Sequence, residues 1–491
     1  MYNRIDTLRR EAVLQLDPSK RSELGQFFTP YSIASYMASL LDVGGKQSIT
    51  MLDAGAGIGS LSLAFLERLS ASTVEELQII AYEFDKKVAD TLKANLSEYA
   101  QMPSSPIKVI PQVIEGDFIQ TGVIAYLTGR NKSIDYAILN PPYRKISSAS
   151  LHRKLLRKAG IDTVNLYAGF VALAVLLLKE GGELVAIIPR SFCNGLYYRP
   201  FRSFLLEKTA IRHIHIFDSR ESAFKEDGVL QENIIIHLVK GAAQGDVKIS
   251  TSRGEDFQDY EEFFVPFERI VPPANSDNFI HIPTANHHHG LAVPERLSCS
   301  LQDLGLEVST GPVVDFRVKM YLHKEGGQGT VPLIYPAHFG TQYIEWPKQN
   351  FKKSNAISVE PETEKLLFPT GYYTLVRRFS SKEEKKRIVA RVLSPDNMPA
   401  PFIGLENHLN VFHQAKKGLP KELALGLAVY LNSTMVDEYF RQFNGHTQVN
   451  ATDLRLIKYP DKEVLIGLGK WASNHSDFDQ FSIDAKVSSL L

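Results

Sequence analysis

The sequence predicts a doubly wound α/β domain with a mostly parallel, seven-stranded sheet, followed by a second domain of mixed or mostly β character. Three observations carry this. Seven Ile- and Val-rich runs recur through the first half: Ile49–Ala54, Leu77–Glu83, Ile107–Ile114, Ile134–Leu139, Glu183–Ile188, Ile211–Phe217 and Ile234–Val239. Helical patterns lie between them, clearest at Leu61–Leu69, Lys87–Tyr99 and Leu166–Lys179. Near-continuous apolar strands with helical crossovers require a sheet buried on both faces. The third observation is a change of pattern past residue 245. Pro272, Pro273, Pro283, Pro294 and a His triplet occupy 246–300, and short strands and loops then dominate to about residue 460. The boundaries read from this are 1–245 and 246–491. The last two strands of the first domain lack a helix between them, so they are expected to form an antiparallel edge hairpin. One helix, Lys421–Phe440, stands out in the second domain.

Composition narrows the class. The 491 residues are 44% hydrophobic and 22% charged, as in an ordinary globular chain, which excludes a disordered or fibrous one. Cys193 and Cys299 are the only cysteines and lack CxxC spacing, so neither a disulfide framework nor a cysteine zinc site is expected, and a reducing, cytoplasmic compartment is. The N-terminus has no apolar core of a secretory signal. Runs such as Phe170–Leu178 fall short of the roughly 20 residues a membrane span needs. Fifty-five basic and fifty-five acidic residues cancel, so any polyanion surface must come from local clustering.

The first strand runs into Asp53-Ala-Gly55-Ala-Gly57-Ile-Gly59 and then a helix. Glycines serve where the backbone turns sharply and a ligand approaches the main chain. The spacing is G-x-G-x-G rather than the dinucleotide fingerprint, and Asp53 would repel a pyrophosphate; a cationic or zwitterionic ligand suits it better. Glu83 ends the second strand, where a carboxylate can accept both hydroxyls of a ribose. Asp117 and Phe118 follow the third strand and offer an acceptor and an aromatic face to a purine. Alone, the glycine loop is no more than a tight turn. Three such features on successive strand ends mark the crevice where ligands bind in these sheets. An adenosine carrying a sulfonium fits them, which is S-adenosylmethionine.

The fourth strand ends in Asn140-Pro141-Pro142-Tyr143. The prolines stiffen the bend and hold Asn140 extended. An amide oxygen and a backbone carbonyl are then presented beside an aromatic ring. Two acceptors converging on a planar –NH₂ draw its lone pair out of ring conjugation and aim it at an electrophile. Alignment of this kind is lost with small displacements, so rigidity serves it.

With these motifs the chain resembles the N6-adenine DNA methyltransferases of type II restriction–modification systems. The order of motifs is similar to that of the γ subgroup, with NPPY after the cofactor motifs and a C-terminal target-recognition domain. Gly25-Gln26-Phe27-Phe28-Thr29-Pro30 resembles the N-terminal motif that caps the methionine end of the cofactor, and Gly181-Gly182 with Ala186–Arg190 resembles a later segment. The match covers about residues 20–240. A slighter likeness is to the PstI/BsuBI modification enzymes, which fixes no target sequence. The resemblance implies a Rossmann-like methyltransferase fold and S-adenosylmethionine held by Gln26, Phe27, Thr29, Pro30, Asp53, Gly55, Gly57, Gly59, Glu83, Asp117 and Phe118. It implies Asn140 and the Pro141 carbonyl on the target amine, Pro142 as part of the bend, and Tyr143 stacked on the adenine, with Phe224 on its other face. It also implies double-stranded DNA as substrate and a cognate restriction endonuclease as functional partner.

A base inside a duplex must be rotated out to reach a sheet end, and cations must hold the phosphates. From Pro141 to Gly160 there are six basic residues and no acidic one: Arg144, Lys145, Arg153, Lys154, Arg157 and Lys158. They are candidates for backbone contact, although a basic solvated helix face would look the same. A second group, Lys348, Lys352, Lys353, Arg377, Arg378, Lys385, Lys386, Arg387 and Arg391, lies in the second domain. Arg377 and Arg378 follow Tyr372-Tyr373 and suit a groove contact, whereas SKEEKKR also reads as an exposed helix. His287–His289 lacks carboxylates at ligand spacing, so no metal is expected. Segment 446–460 is expected to form a loop and strand, with Gln448, Asn450 and Arg455 in structural hydrogen bonds more than in DNA contacts. Two other readings stand beside this one. NPPY also suits an RNA adenine or a protein glutamine, and a DNA-binding subunit could keep the fold without the chemistry.

Overall fold

A computed structural model describes residues 2–15, 27–101, 107–129, 133–217, 232–273, 277–283, 297–380, 384–443, 448–475 and 479–491. The chain divides into two compact units, Met1–His288 and His289–Leu491.

In the first unit the seven predicted runs are strands β1 (Ser48–Ala54), β2 (Glu76–Glu83), β3 (Lys108–Glu115), β4 (Ile134–Leu139), β5 (Leu178–Pro189), β6 (Thr209–Phe217) and β7 (Asn233–Lys240). Two more follow, β8 (Val247–Ser252) and β9 (Glu261–Val265). Among the described residues they form one nine-stranded sheet in the order β3-β2-β1-β4-β5-β7-β6-β8-β9. The β6–β7 hairpin is antiparallel as expected. It is not an edge, because β8 pairs parallel with β6 and β9 antiparallel with β8. The sequence-based boundary at 245 thus falls between two strands of one sheet. The strand order turns around at β1 and β4, both buried along nearly their whole length, and this opens the crevice at their carboxyl ends.

Helices α1 (Tyr2–Gln15), α2 (Tyr31–Ser39), α3 (Ser60–Leu69), α4 (Lys86–Ala100), α5 (Phe118–Leu127), α6 (Leu151–Lys158), α7 (Leu166–Leu177) and α8 (Arg199–Lys208) accompany the sheet. Their starts are written locally. Asp85 accepts from the N–H groups of Lys87 and Val88, Asp117 from Gln120, and Ser150 from Arg153. All twelve residues of α7 are buried, which explains why it is apolar on every side. Two apolar clusters fill the faces, one around α5 and α7 and one around α2, α3 and α4. A polar knot ties α2 to the far strands. Ser250 Oγ of β8 lies 3.0 Å from Tyr36 Oη, 2.7 Å from His213 Nε2 and 2.8 Å from His215 Nδ1. The Tyr36 ring stacks on Phe257 at 4.4 Å. Burial pushes both imidazoles down to about 3, so they stay neutral.

Among its described residues the second unit holds two small sheets. The antiparallel one pairs Glu307–Thr310, Leu409–His413, Tyr373–Arg377 and Ala390–Leu393 in that order. The other, mixed, takes Leu322–His323, Ala356–Ser358, Thr330–Ile334, Phe402–Leu405 and Leu367–Pro369 in order. The single helix expected at Lys421–Phe440 is two, Lys421–Leu431 and Thr434–Phe443. Asn432 breaks it because its side-chain amide is drawn to the backbone N–H and C=O of Ala390, at 3.0 and 2.9 Å. The strand expected within 446–460 is replaced by a helix, Ala451–Leu456, which Asn450 and Asp453 cap reciprocally. Two further helices, Lys462–Ser473 and Gln480–Leu490, end the chain. No helix among the described residues is long and apolar enough to cross a membrane.

Candidate active site

A cleft opens at the carboxyl ends of β1, β2, β3 and β4. Its wall includes Phe27, Gly55, Gly57, Glu83, Asp117, Phe118, Asn140, Pro142 and Arg144 from the predicted set. Phe28, Tyr82, Phe84, Gly116, His152, Leu166 and Phe170 complete it. Asp53, Gly59, Thr29, Pro30, Pro141 and Tyr143 are not among the residues of this wall.

The glycine loop takes its shape from three left-handed residues, Gly55, Gly57 and Gly59, all with positive φ. A side chain at Gly57 would meet the Phe28 ring at 2.8 Å, so the N-terminal segment closes directly over the loop. Glu83 holds the loop from the next strand. One carboxylate oxygen accepts Gly57 N–H at 2.9 Å and the other accepts Asp85 N–H at 2.9 Å. Burial raises the Glu83 pKa, and those backbone donors work against the rise. Asp53 is fully buried; Ser62 Oγ donates to its Oδ2 at 2.7 Å, and its Oδ1 has no partner among the described residues. Desolvation pushes this carboxyl up to about 7. A positive charge in the cleft would favour its ionised form.

Asn140 is anchored by the segment that the sequence assigned to the cofactor. Its Nδ2 donates to the Phe27 carbonyl at 2.8 Å and to Thr29 Oγ1 at 3.0 Å. Both amide hydrogens are therefore used, and the orientation of the amide follows: Oδ1 is the free end. The Tyr143 hydroxyl divides its proton between that oxygen, at 3.1 Å, and the Ile187 carbonyl, at 3.0 Å. An acceptor site on Oδ1 remains. The Tyr143 ring lies edge-on to Tyr167 at 6.2 Å, and burial raises its phenol pKa.

Asp117 caps α5 through Oδ1, which accepts Gln120 N–H at 3.1 Å. His152 Nε2 meets its Oδ2 at 2.5 Å. Burial alone would raise the Asp117 pKa, but the bond from His152 and the backbone donors outweigh it and hold the carboxyl below the usual range. Phe118 is buried between Tyr82 and Phe170, with ring centroids 5.1 Å from each.

The structure separates the predicted cations. Arg144 and Lys145 are exposed. Arg153 and Arg157 both pair with Asp162, at 3.2 and 3.3 Å, an acid just past the stretch that read as purely basic. In the second unit Arg377 pairs with Glu384, and Arg378 donates to the Asn407 carbonyl at 3.1 Å and to Gln448 at 3.3 Å. Lys353 pairs with Asp315, Lys348 and Arg391 donate to the carbonyls of Ala337 and Gly340, and Lys386 to that of Asn432. Arg387 is only 1% exposed, so the described part of SKEEKKR is not a solvated helix face. Arg455 donates to the Val308 carbonyl at 2.7 Å, a structural bond as anticipated. Gln26, Phe224 and His287–His289 lie outside the described residues.

Sequence reasoning missed Phe84, His152 and Phe170. Phe84 is 65% exposed at the cleft, and its only signal was adjacency to Glu83. His152 was hidden in a segment read for its lysines and arginines, and Phe170 in a helix read as core.

The family model Eco57I restriction-modification methylase matches residues 61–224. The type II methyltransferase M.BsuBI of Bacillus subtilis is 51% identical over 96% of this chain and 94% of its own length. The type II methyltransferase M.PstI of Providencia stuartii is 44% identical over 99% of this chain and 96% of its own. Among solved structures, the type IIL restriction–modification enzyme MmeI, in complex with DNA, shares the fold with a TM-score of 0.53 and 11% identity, over 99% of this chain and 72% of that one. The chain belongs to the type II DNA methyltransferases of restriction–modification systems.

Proposed function

We propose that the chain transfers a methyl group from S-adenosylmethionine to N6 of an adenine flipped out of double-stranded DNA. In this reading it acts in the cytoplasm as the modification partner of a cognate restriction endonuclease. The first unit carries the chemistry and the second reads the target. The observation that carries the proposal is the Asn140 amide at the cleft wall, pinned through both hydrogens, whose oxygen accepts the Tyr143 hydroxyl and keeps one further acceptor site.

The cleft suits the cofactor. Gly57 leaves room for close approach under Phe28, Glu83 stands where a ribose would need acceptors, and Asp117, Phe118 and Phe84 offer an acceptor and aromatic faces to a purine. Asp53 contributes a buried negative charge with one oxygen unshared. When bound, the cofactor supplies an electrophilic methyl on a sulfonium. The protein's part is alignment. Asn140 Oδ1 and the Pro141 carbonyl accept the two amine hydrogens, which localises the nitrogen lone pair. The amine reacts neutral and sheds its proton afterwards, so Asn140 need not act as a base. Tyr143 packs against the extruded ring; stacking of about 1–3 kcal/mol per base offsets a flipping cost of a few kcal/mol. Arg144 and Lys145, exposed next to the bend, neutralise the adjoining phosphates.

The same pair of acceptors would serve an RNA adenine or a glutamine amide, so the test must report the substrate. The chain is expressed in a host without DNA methylation, and the genome is sequenced by a long-read method that detects modified bases. N6-methyladenine at one motif, absent with Asn140→Ala, is the expected outcome. An unmodified genome, or modified cytosine, refutes the proposal.

A further inference from the structure

We infer that His152 is a positioning residue for the cofactor's adenine, acting through Asp117; the inference rests on the cofactor reading above. Asp117 stands at the end of β3 and spends Oδ1 on its own helix, α5, by accepting Gln120 N–H at 3.1 Å. An N-capping carboxylate is fixed through one oxygen only, and its second oxygen can swing between the solvent and the cleft. Here it cannot swing, because the His152 imidazole takes Oδ2 at 2.5 Å. The two side chains keep 27% and 17% of their exposure, so the pair faces the cleft instead of the core.

The origin of the imidazole adds to the case. His152 lies on α6, the helix that follows the Asn140–Tyr143 bend, whereas Asp117 belongs to the strand end beside Glu83 and Phe84. The pair thus joins the segment nearest the target to the segment nearest the purine. With Oδ1 on Gln120 and one lone pair of Oδ2 held by His152, the carboxylate at the cleft wall keeps acceptor capacity for a donor there. The exocyclic amine of adenine is such a donor; the carbonyl of hypoxanthine is not. His152 therefore sharpens the preference for an adenine-bearing cofactor, and it does so without touching the reacting atoms.

The test measures binding of S-adenosylhomocysteine, and of its inosine counterpart with a carbonyl in place of the amine, by calorimetry. Wild type and His152→Ala and His152→Gln variants are compared, with folding checked by thermal unfolding. His152→Ala should weaken S-adenosylhomocysteine about tenfold, as expected for loss of a hydrogen bond to a charged group, yet weaken the inosine compound by less than about threefold. Glutamine, which keeps a donor at that position, should recover most of the loss. Equal losses for both ligands would mean that His152 only braces α6, and no loss in the alanine variant would mean that it does nothing for the cofactor; either result overturns the inference. A folded wild-type chain that binds neither compound overturns the cofactor reading itself, and the inference falls with it.

Discussion

Thr29→Val probes the anchoring of Asn140 with little else disturbed. Thr29 is 3% exposed, and valine fills the same volume, so neither a cavity nor a clash is created. What disappears is one of two bonds to Asn140 Nδ2, the one of 3.0 Å, while the Phe27 carbonyl keeps the other. A stranded amide hydrogen costs about 1–3 kcal/mol, and about 1.4 kcal/mol is a factor of ten. The amide regains that energy by turning toward another partner, which takes Oδ1 out of line with the target amine. The transfer step should therefore slow by about ten- to a hundredfold. Thr29→Ser, which retains the hydroxyl, should stay close to wild type. The assay is a single-turnover transfer of tritiated methyl to DNA with enzyme and cofactor in excess, alongside thermal unfolding. A Thr29→Val rate within about twofold of wild type would show that the hydroxyl does not orient Asn140.

Four further outcomes are expected. Asn140→Ala should abolish transfer yet bind the cofactor nearly as well as wild type, by calorimetry; undiminished turnover would remove Asn140 from the mechanism. Gly57→Ala should lose cofactor binding and lower the melting temperature, because its new methyl meets the Phe28 ring at 2.8 Å on a backbone of positive φ. Asp53 rises from 3.8 to about 7 on folding, so the folded state holds its proton more tightly and stability drains away as pH climbs from about 4 through about 7. Without cofactor, Asp53→Asn should gain on wild type across that window in thermal unfolding, and a pH-independent difference would contradict the burial argument. Arg144→Ala should flatten the salt dependence of DNA binding by about one phosphate contact, whereas Arg153→Ala, already engaged with Asp162, should change it less. Equal slopes would count against that distinction.

Much of the first unit was legible because buried parallel strands and their caps are encoded locally. Runs such as Ile134–Leu139 need nothing beyond their own apolar residues to declare themselves, and Asp117 announces both a strand end and a helix start. The bend at Asn140 was legible for the same reason, since two prolines restrict the chain wherever it goes. What escaped was decided by distant partners. Asn432 looks helical until Ala390 captures its amide, and Arg387 looks solvated until it is buried beside Ser380. Thr29 was assigned to the cofactor's far end, and no spacing could have told that its hydroxyl reaches Asn140, 111 residues on. His152 had no motif at all; only the fold brings it to Asp117. Ala451–Leu456 is a different kind of miss, because Asn450 and Asp453 form a local cap that the sequence does display.

If the second unit reads the target as proposed, the knot at Ser250 bears on how that unit could be exchanged between relatives. One hydroxyl there bonds to Tyr36, His213 and His215, and losing a buried partner of this kind costs about 1–3 kcal/mol. Tyr36 sits on the helix that begins two residues after Thr29, so the grip on Asn140 leans on strands that come after the seven-strand pattern ends. A chimera spliced at residue 245 would carry the donor's β8 against the host's tyrosine and histidines, and any mismatch there would load the helix next to Thr29. A seam cut beyond Ile282, whose neighbours Ile280 and His281 still bond to Cys193 and Ile270, keeps that grip within one parent.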